Sequence, residues 1–187
     1  MFMPPVWLIV TLAVILILAI YVIITYNGLV SLRNRVNDQW SQIDVELKRR
    51  FDLIPNFVST VKGYAKHESE TLENVIKARN TYLSAGSKNE AMEADGELTN
   101  AISKLFALTE AYPELKANEN FLDLQRQLEE TENKISYARK FYNDVALRLN
   151  NKIDMFPSNI VAKIFKFQKQ EFFKAQEAER ENVKVEF

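Results

Sequence analysis

Cysteine is absent from these 187 residues. Disulfides, thiolate metal sites, cysteine nucleophiles and a lipidated amino-terminal cysteine are therefore excluded. The absence fits a cytoplasmic module without requiring one. Glycine and proline number only four and five, too few to punctuate a sheet-rich fold with turns. Histidine occurs once, as His67, and Tyr64 stands three residues before it. One imidazole cannot furnish the two Glu-x-x-His pairs of a di-iron bundle, and every Ser-His-Asp arrangement would have to share it. No Gly-x-x-x-x-Gly-Lys loop or Gly-x-Gly-x-x-Gly run is present to cradle phosphates. An excess of either charge is missing too, with 24 basic against 25 acidic side chains, which argues against a nucleic-acid partner.

Charge is also missing from residues 6–26, where Val6 opens an unbroken apolar run and Tyr26 closes it. At ~1.5 Å per residue, a helix of this length crosses a hydrocarbon core of roughly 30 Å. Trp7 near one end and Tyr21 and Tyr26 near the other match the aromatic belts of a membrane span. A cleaved secretory signal would want a basic start and a small-residue cleavage site, and neither is present. A buried core helix would need a less polar remainder to wrap it. The bilayer is thus the expected partner of residues 6–26. The first five residues form a short tail, and residues 27–187 make about one ordinary domain. Arg33 and Arg35 follow the run and no cation precedes it, which places the amino terminus outside and the remainder in the cytoplasm.

Beyond the run, apolar residues recur at steps of three and four: Leu29, Leu32, Val36, Trp40, Ile43, Leu47, Phe51, Ile54, Val58, Val61 and Ala65. This coiled-coil-like stripe predicts a long helix packed on other helices. Asn27 and Gly28 could interrupt it, but Gly in a helix costs only ~1 kcal/mol, so the membrane helix is expected to run on. Pro55 should bend the helix near residues 51–54 without ending it, because the apolar phase survives. The stop is expected between Gly63 and His67.

A second helix follows, with Leu72, Val75, Ile76, Tyr82 and Leu83 in its stripe. Ala85-Gly86-Ser87 should break or loosen it, and residues 87–96 read as a loop or an exposed helical turn. The stripe resumes through Leu98, Ile102, Leu105, Leu108 and Tyr112 and stops before Pro113. Asn118 or Asn120 can cap a third long helix. Its stripe is Phe121, Leu124, Leu128, Thr131, Ile135, Ala138, Tyr142, Val145, Leu149 and Ile153, and Phe156-Pro157 ends it. Ser158 is expected to cap a short helix through Ile160, Ile164 and Phe165. A last helical stretch is expected over residues 170–181, and residues 183–187 alternate like a strand. The fold class is all-α: an amino-terminal transmembrane helix, then an antiparallel bundle of three long helices with one or two short carboxy-terminal ones.

Asp52, Arg79, Glu132, Asn133, Arg139 and Asn143 interrupt apolar faces. Such residues more often make ion pairs that fix helix register than perform chemistry. His67-Glu68 reads as a polar pair at a helix end, and Glu129 with Glu132 as solvated surface charge. No residue is assigned a catalytic, cofactor-binding or metal-binding role, and no small-molecule substrate is evident.

Long ordered motifs carry a resemblance. They include Tyr26-Asn27-Gly28-Leu29-Val30, the run from Trp40 to Arg50, and Asp52-Leu53-Ile54-Pro55-Asn56. Val61-Lys62-Gly63-Tyr64 with His67-Glu68, Ala78-Arg79 and Glu110-Ala111-Tyr112-Pro113-Glu114-Leu115 follow. Thr131-Glu132-Asn133-Lys134-Ile135, Ala138-Arg139, Tyr142-Asn143 and Phe156-Pro157 complete the set. Over nearly its whole length the chain resembles the LemA family of bacterial membrane proteins. Leu149 departs from the family's frequent Tyr, and Lys166 from its common Gly, which puts the turn before the last helix in question. The resemblance implies a single membrane helix, an antiparallel bundle and an adaptor role, with no assigned reaction. The expected function is a membrane-anchored scaffold that binds protein partners or itself. One rival is an enzyme or ligand-binding bundle with a pocket lined by Asp52, Arg79, Glu132 and Arg139. The other is a signalling stalk pivoting at Pro55.

Overall fold

The apolar run and the first stripe form one helix. In the computed structural model, which describes residues 5–173, α1 spans Val6–Tyr64 without a break at Asn27 or Gly28. It is followed by α2 (Ser69–Leu83), α3 (Lys88–Thr109), α4 (Pro113–Lys116), α5 (Glu119–Asp154) and α6 (Ser158–Ile164). The described residues contain no strand. The fold is all-α with an amino-terminal membrane-spanning helix, and residues 6–20 of α1 lie open on every side.

The described chain divides into two compact units, residues 5–40 with 140–172 and residues 41–139 with 173. Both draw on α1 and α5. In the first, Leu29 and Val36 of α1 are buried with Tyr142, Ala146 and Leu149 of α5 and Val161 and Ala162 of α6. Trp40 meets Tyr142 edge to face at 5.9 Å, and the Lys152 side chain covers Gly28. As α1 advances from 28 to 40, its partner on α5 goes back from 152 to 142, so the helices run antiparallel here.

α6 ends in a complete Schellman turn. Phe167 N–H donates to the Ala162 carbonyl at 2.9 Å and Lys166 N–H to Lys163 at 3.2 Å. Lys166 holds the left-handed position at φ 55°, where Gly fits without penalty. The turn is therefore kept, and Lys carries a strain of about 1 kcal/mol.

Two expectations at this end are corrected. Ser158 does not cap α6: Pro157 takes the cap position, and the Ser158 hydroxyl donates to the Met155 carbonyl at 2.9 Å. Residues 170–173 are not helical. Asn150 occupies both backbone groups of Gln170, accepting from its N–H at 2.9 Å and donating to its carbonyl at 2.8 Å. The rest of the expected 170–181 helix and the 183–187 alternation lie outside the described residues.

In the second unit the core is Ile43, Leu47, Phe51, Ile54, Phe57, Val58 and Val61 of α1. They are buried with Leu72 and Val75 of α2, Leu98, Ile102 and Leu105 of α3, and Phe121, Leu128 and Ile135 of α5. Phe57 stacks on Phe121 at 5.4 Å and meets Phe106 edge to face at 5.3 Å. Ile76 and Leu83, counted in the α2 stripe, are exposed instead. Of the loop and the helical turn left open for residues 87–96, the helical one holds: residues 88–96 form the first turns of α3. Ser87 caps them by accepting from Glu90 N–H at 3.2 Å, and the Glu90 carboxylate accepts from Gly86 N–H at 2.8 Å. Asn118, not Asn120, caps α5, accepting from Phe121 N–H at 3.0 Å.

Candidate functional site

Four charged side chains converge in the second unit. Arg50 lies on α1 three residues after Leu47 and four before Ile54, so it shares their inward face. Asp95 occupies the matching place on α3, between Ala91 and Leu98. Side-chain exposure is 3% for Arg50 and 1% for Asp95. Arg50 Nη1 lies 3.3 Å from Asp95 Oδ1 and 2.7 Å from Glu132 Oε2 of α5. Its Nη2 donates to Thr99 Oγ1 at 3.0 Å, and the Thr99 hydroxyl donates to the Asp95 carbonyl, also at 3.0 Å. Arg139 of α5 pairs with the other oxygen of Asp95, approaches Glu132 at 3.9 Å, and lays its guanidinium over the Phe173 ring at 5.4 Å.

Two cations and two anions therefore neutralise one another. Burial is the largest influence on Arg50 and lowers its pKa from the ordinary guanidinium value, while Glu132 and Asp95 pull it back. Burial likewise raises Asp95 above the ordinary carboxylate range, against the opposing pull of Arg139 and Arg50. Such a network costs desolvation, which the paired charges offset, and it ties α1, α3 and α5 together through Arg50, Asp95, Glu132 and Arg139. A cleft of about 260 Å³ opens beside it, lined by Arg50, Thr99, Ser103, Phe106, Glu129 and Asn133. No group of three or more His, Asp or Glu among the described residues is placed to hold a metal ion.

The sequence candidates separate into different places. Glu132 and Arg139 join the network. Asn133 is exposed on the rim of the cleft, and Asn143 lies half-buried in the other unit. Asp52 is exposed and takes no part, which corrects its reading as a buried polar residue. Arg79 serves the backbone: its Nε donates to the Phe51 carbonyl at 3.1 Å. That carbonyl is the one a helix would pair with the N–H of residue 55, and Pro55 has none. Arg79 thus replaces the missing donor, and α1 continues past the proline. The pocket postulated from Asp52, Arg79, Glu132 and Arg139 is accordingly not assembled.

Arg50, Asp95 and Thr99 were the residues that sequence reasoning missed. Their three-and-four spacing from apolar neighbours was the available signal. His67 is exposed in the turn between α1 and α2, while its neighbour Glu68 accepts from the Tyr112 hydroxyl at 3.2 Å. Nearby, Tyr82 packs on Phe51 at 4.2 Å and donates to Asp44 at 3.1 Å.

Comparison with known proteins adds a lineage to this geometry. The family model described as "LemA family" matches residues 39–187. Protein LemA of Metamycoplasma hominis is 27% identical over 158 residues, covering 84% of this chain and 72% of that protein. Magnetosome protein MamQ 2 of Paramagnetospirillum magneticum is 25% identical over 179 residues, covering 82% and 66%. Magnetosome protein MamQ of Magnetospirillum gryphiswaldense is 24% identical over 174 residues, covering 79% and 64%. The chain spans just under two thirds of these two MamQ proteins.

Proposed function

This chain belongs to the LemA family, and we propose that it acts as a membrane-anchored helical scaffold, binding protein partners or further copies of itself without catalysing a reaction. The observation that carries this reading is the buried charge network of Arg50, Asp95, Glu132 and Arg139. Both terminal nitrogens of Arg50 are engaged inside the bundle, Nη1 with Asp95 and Glu132 and Nη2 with Thr99. Groups spent on joining three helices build a rigid module rather than a reactive centre. In this reading residues 27–187 act as one domain, held on the cytoplasmic face because Arg33 and Arg35 follow the membrane run.

The repaired proline favours a scaffold over a pivoting stalk. A hinge at Pro55 would leave the Phe51 carbonyl free to move, whereas Arg79 ties it to α2. Crosslinking of the full chain in native membranes, followed by affinity capture and mass spectrometry, tests the proposal. Defined homo-oligomers or a reproducible stoichiometric partner are expected. A strictly monomeric protein with no co-purifying partner would overturn it. A reporter fused to the carboxy terminus tests the orientation separately, with cytoplasmic activity expected.

A further inference from the structure

The first unit ends in an apolar corner that its own core does not use. Phe156 and Ile164 are 80% and 66% exposed, and Met155 and Ile160 are more than half exposed. Ile160 and Ile164 share one face of α6 at i and i+4, with Met155 and Phe156 in the turn that leads into it. Four large apolar side chains in ten residues are too many to attribute to scattered surface hydrophobes.

Two observations place this corner at lipid depth. Phe165 and Phe167 close on Tyr26, the last residue of the apolar stretch 6–26, at ring distances of 4.6 and 5.9 Å. Within that run, Thr25 is only 5% exposed and Tyr21 and Val22 are half-buried, while residues 6–20 are open. The chain therefore covers one side of the final turns of the membrane segment. An element touching those turns stands where acyl chains give way to headgroups. The charges fit that depth. Lys163 and Lys166 lie on the exposed surface of this segment, Lys169 beside them pairs with Asp154 at 2.8 Å, and Arg33 sits over the Phe167 ring at 5.5 Å. Amphipathic lysines keep an ammonium among headgroups while their stems lie on apolar surface. Lys166 holds this pattern even in the left-handed position that Gly would fill more comfortably.

We propose that the α5–α6 corner, with Met155, Phe156, Ile160 and Ile164 at its apolar face, is a second membrane contact that lies in the bilayer interface beside α1. It would hold the first unit against the lipid surface and fix its rotation about the membrane normal, which one spanning helix cannot do. The proposal rests on α1 spanning the bilayer.

The absence of native cysteine makes the test direct. Single substitutions Phe156→Cys, Ile160→Cys and Ile164→Cys in the full chain carry a polarity-sensitive fluorophore. The protein is reconstituted in phosphatidylcholine–phosphatidylglycerol vesicles with or without nitroxide-labelled acyl chains. Val14→Cys reports on the spanning segment and Tyr137→Cys on exposed surface of the other unit, and circular dichroism verifies the helical fold of each variant. Blue-shifted emission and at least a twofold loss of fluorescence to the nitroxide are expected at 156, 160 and 164, as at 14 and unlike 137. Quenching at 14 with water-like emission at 156, 160 and 164 would overturn this proposal alone. No quenching at 14 would overturn it together with the spanning helix on which it rests.

Discussion

Arg79 donates from Nε to the carbonyl of Phe51 at 3.1 Å, the carbonyl that Pro55 leaves without its helical partner. A charged donor on a part-buried acceptor is worth about 1.5–3 kcal/mol. Arg79→Met should therefore lower stability by about that amount. In a Pro55→Ala background, the restored N–H of residue 55 satisfies the same carbonyl, and Arg79→Met should cost less than about half as much. Denaturant unfolding of the four proteins of this cycle measures the coupling. Additive effects would show that Arg79 acts through packing alone.

The network around Arg50 calls for a different pattern. Asp95→Ala leaves Arg50 and Arg139 facing each other with only Glu132 to share. The loss should reach about 3–5 kcal/mol, as for other buried pairs that lose one partner. Replacing both members, Arg50→Met with Asp95→Leu, removes the stranded charge and should recover more than half of that loss. Thermal and denaturant melts measure the stabilities. Crosslinking yields in membranes should follow folding and show no separate dependence on the charges.

Pattern reading served well where a single physical term decides the outcome. The membrane run, the continuity of α1 past Gly28, the break at Ala85-Gly86 and the antiparallel return of α5 all follow from apolar periodicity and helix length. It fell short where two weak local signals are outweighed by a long-range contact. Residues 88–96 are polar and weakly patterned, which leaves loop and helical turn both open, and the helix is decided by the Ser87 cap and by Asp95, which finds two arginines. Residues 170–173 have helical composition, yet Asn150 takes the backbone of Gln170. Arg79 interrupts an apolar face as its sequence position suggests, but its partner is a backbone carbonyl, and no side-chain pattern signals that.

Alkaline titration should expose the burial of Tyr82. Desolvation, then Asp44, raises its pKa above the ordinary phenol value. Desolvation does the same for Tyr142. The unfolded chain then loses its phenolic protons first, near pH ~10. The stabilisation from keeping these phenols neutral is complete below that pH and is lost as pH rises through the higher folded values. Unfolding free energy should therefore begin to fall above about pH 10. Tyr82→Phe should make that slope shallower, at a neutral-pH cost of about 0.5–1.5 kcal/mol from the lost Asp44 hydrogen bond. Tyrosinate absorbance of the native protein, set against that in denaturant, gives the ionisation order. Coincident curves would contradict the assignment.

Lys166 separates local strain from the hold that Asn150 exerts on the same segment. With φ at 55°, Lys166→Gly relieves the clash of Cβ with the backbone and should stabilise the folded chain by about 0.5–1 kcal/mol. Asn150→Ala works in the opposite direction. It deletes two hydrogen bonds to Gln170 and leaves two backbone groups to find water, a loss of about 1–3 kcal/mol. Hydrogen exchange distinguishes the two. Lys166→Gly should slow exchange at Phe167 N–H, which closes the Schellman turn on Ala162. Asn150→Ala should speed exchange at Gln170 N–H and leave Phe167 protected. If Asn150→Ala released both amides together, the turn and the clasp would be one cooperative unit, and the strain at Lys166 would be offset by Asn150 rather than by α6.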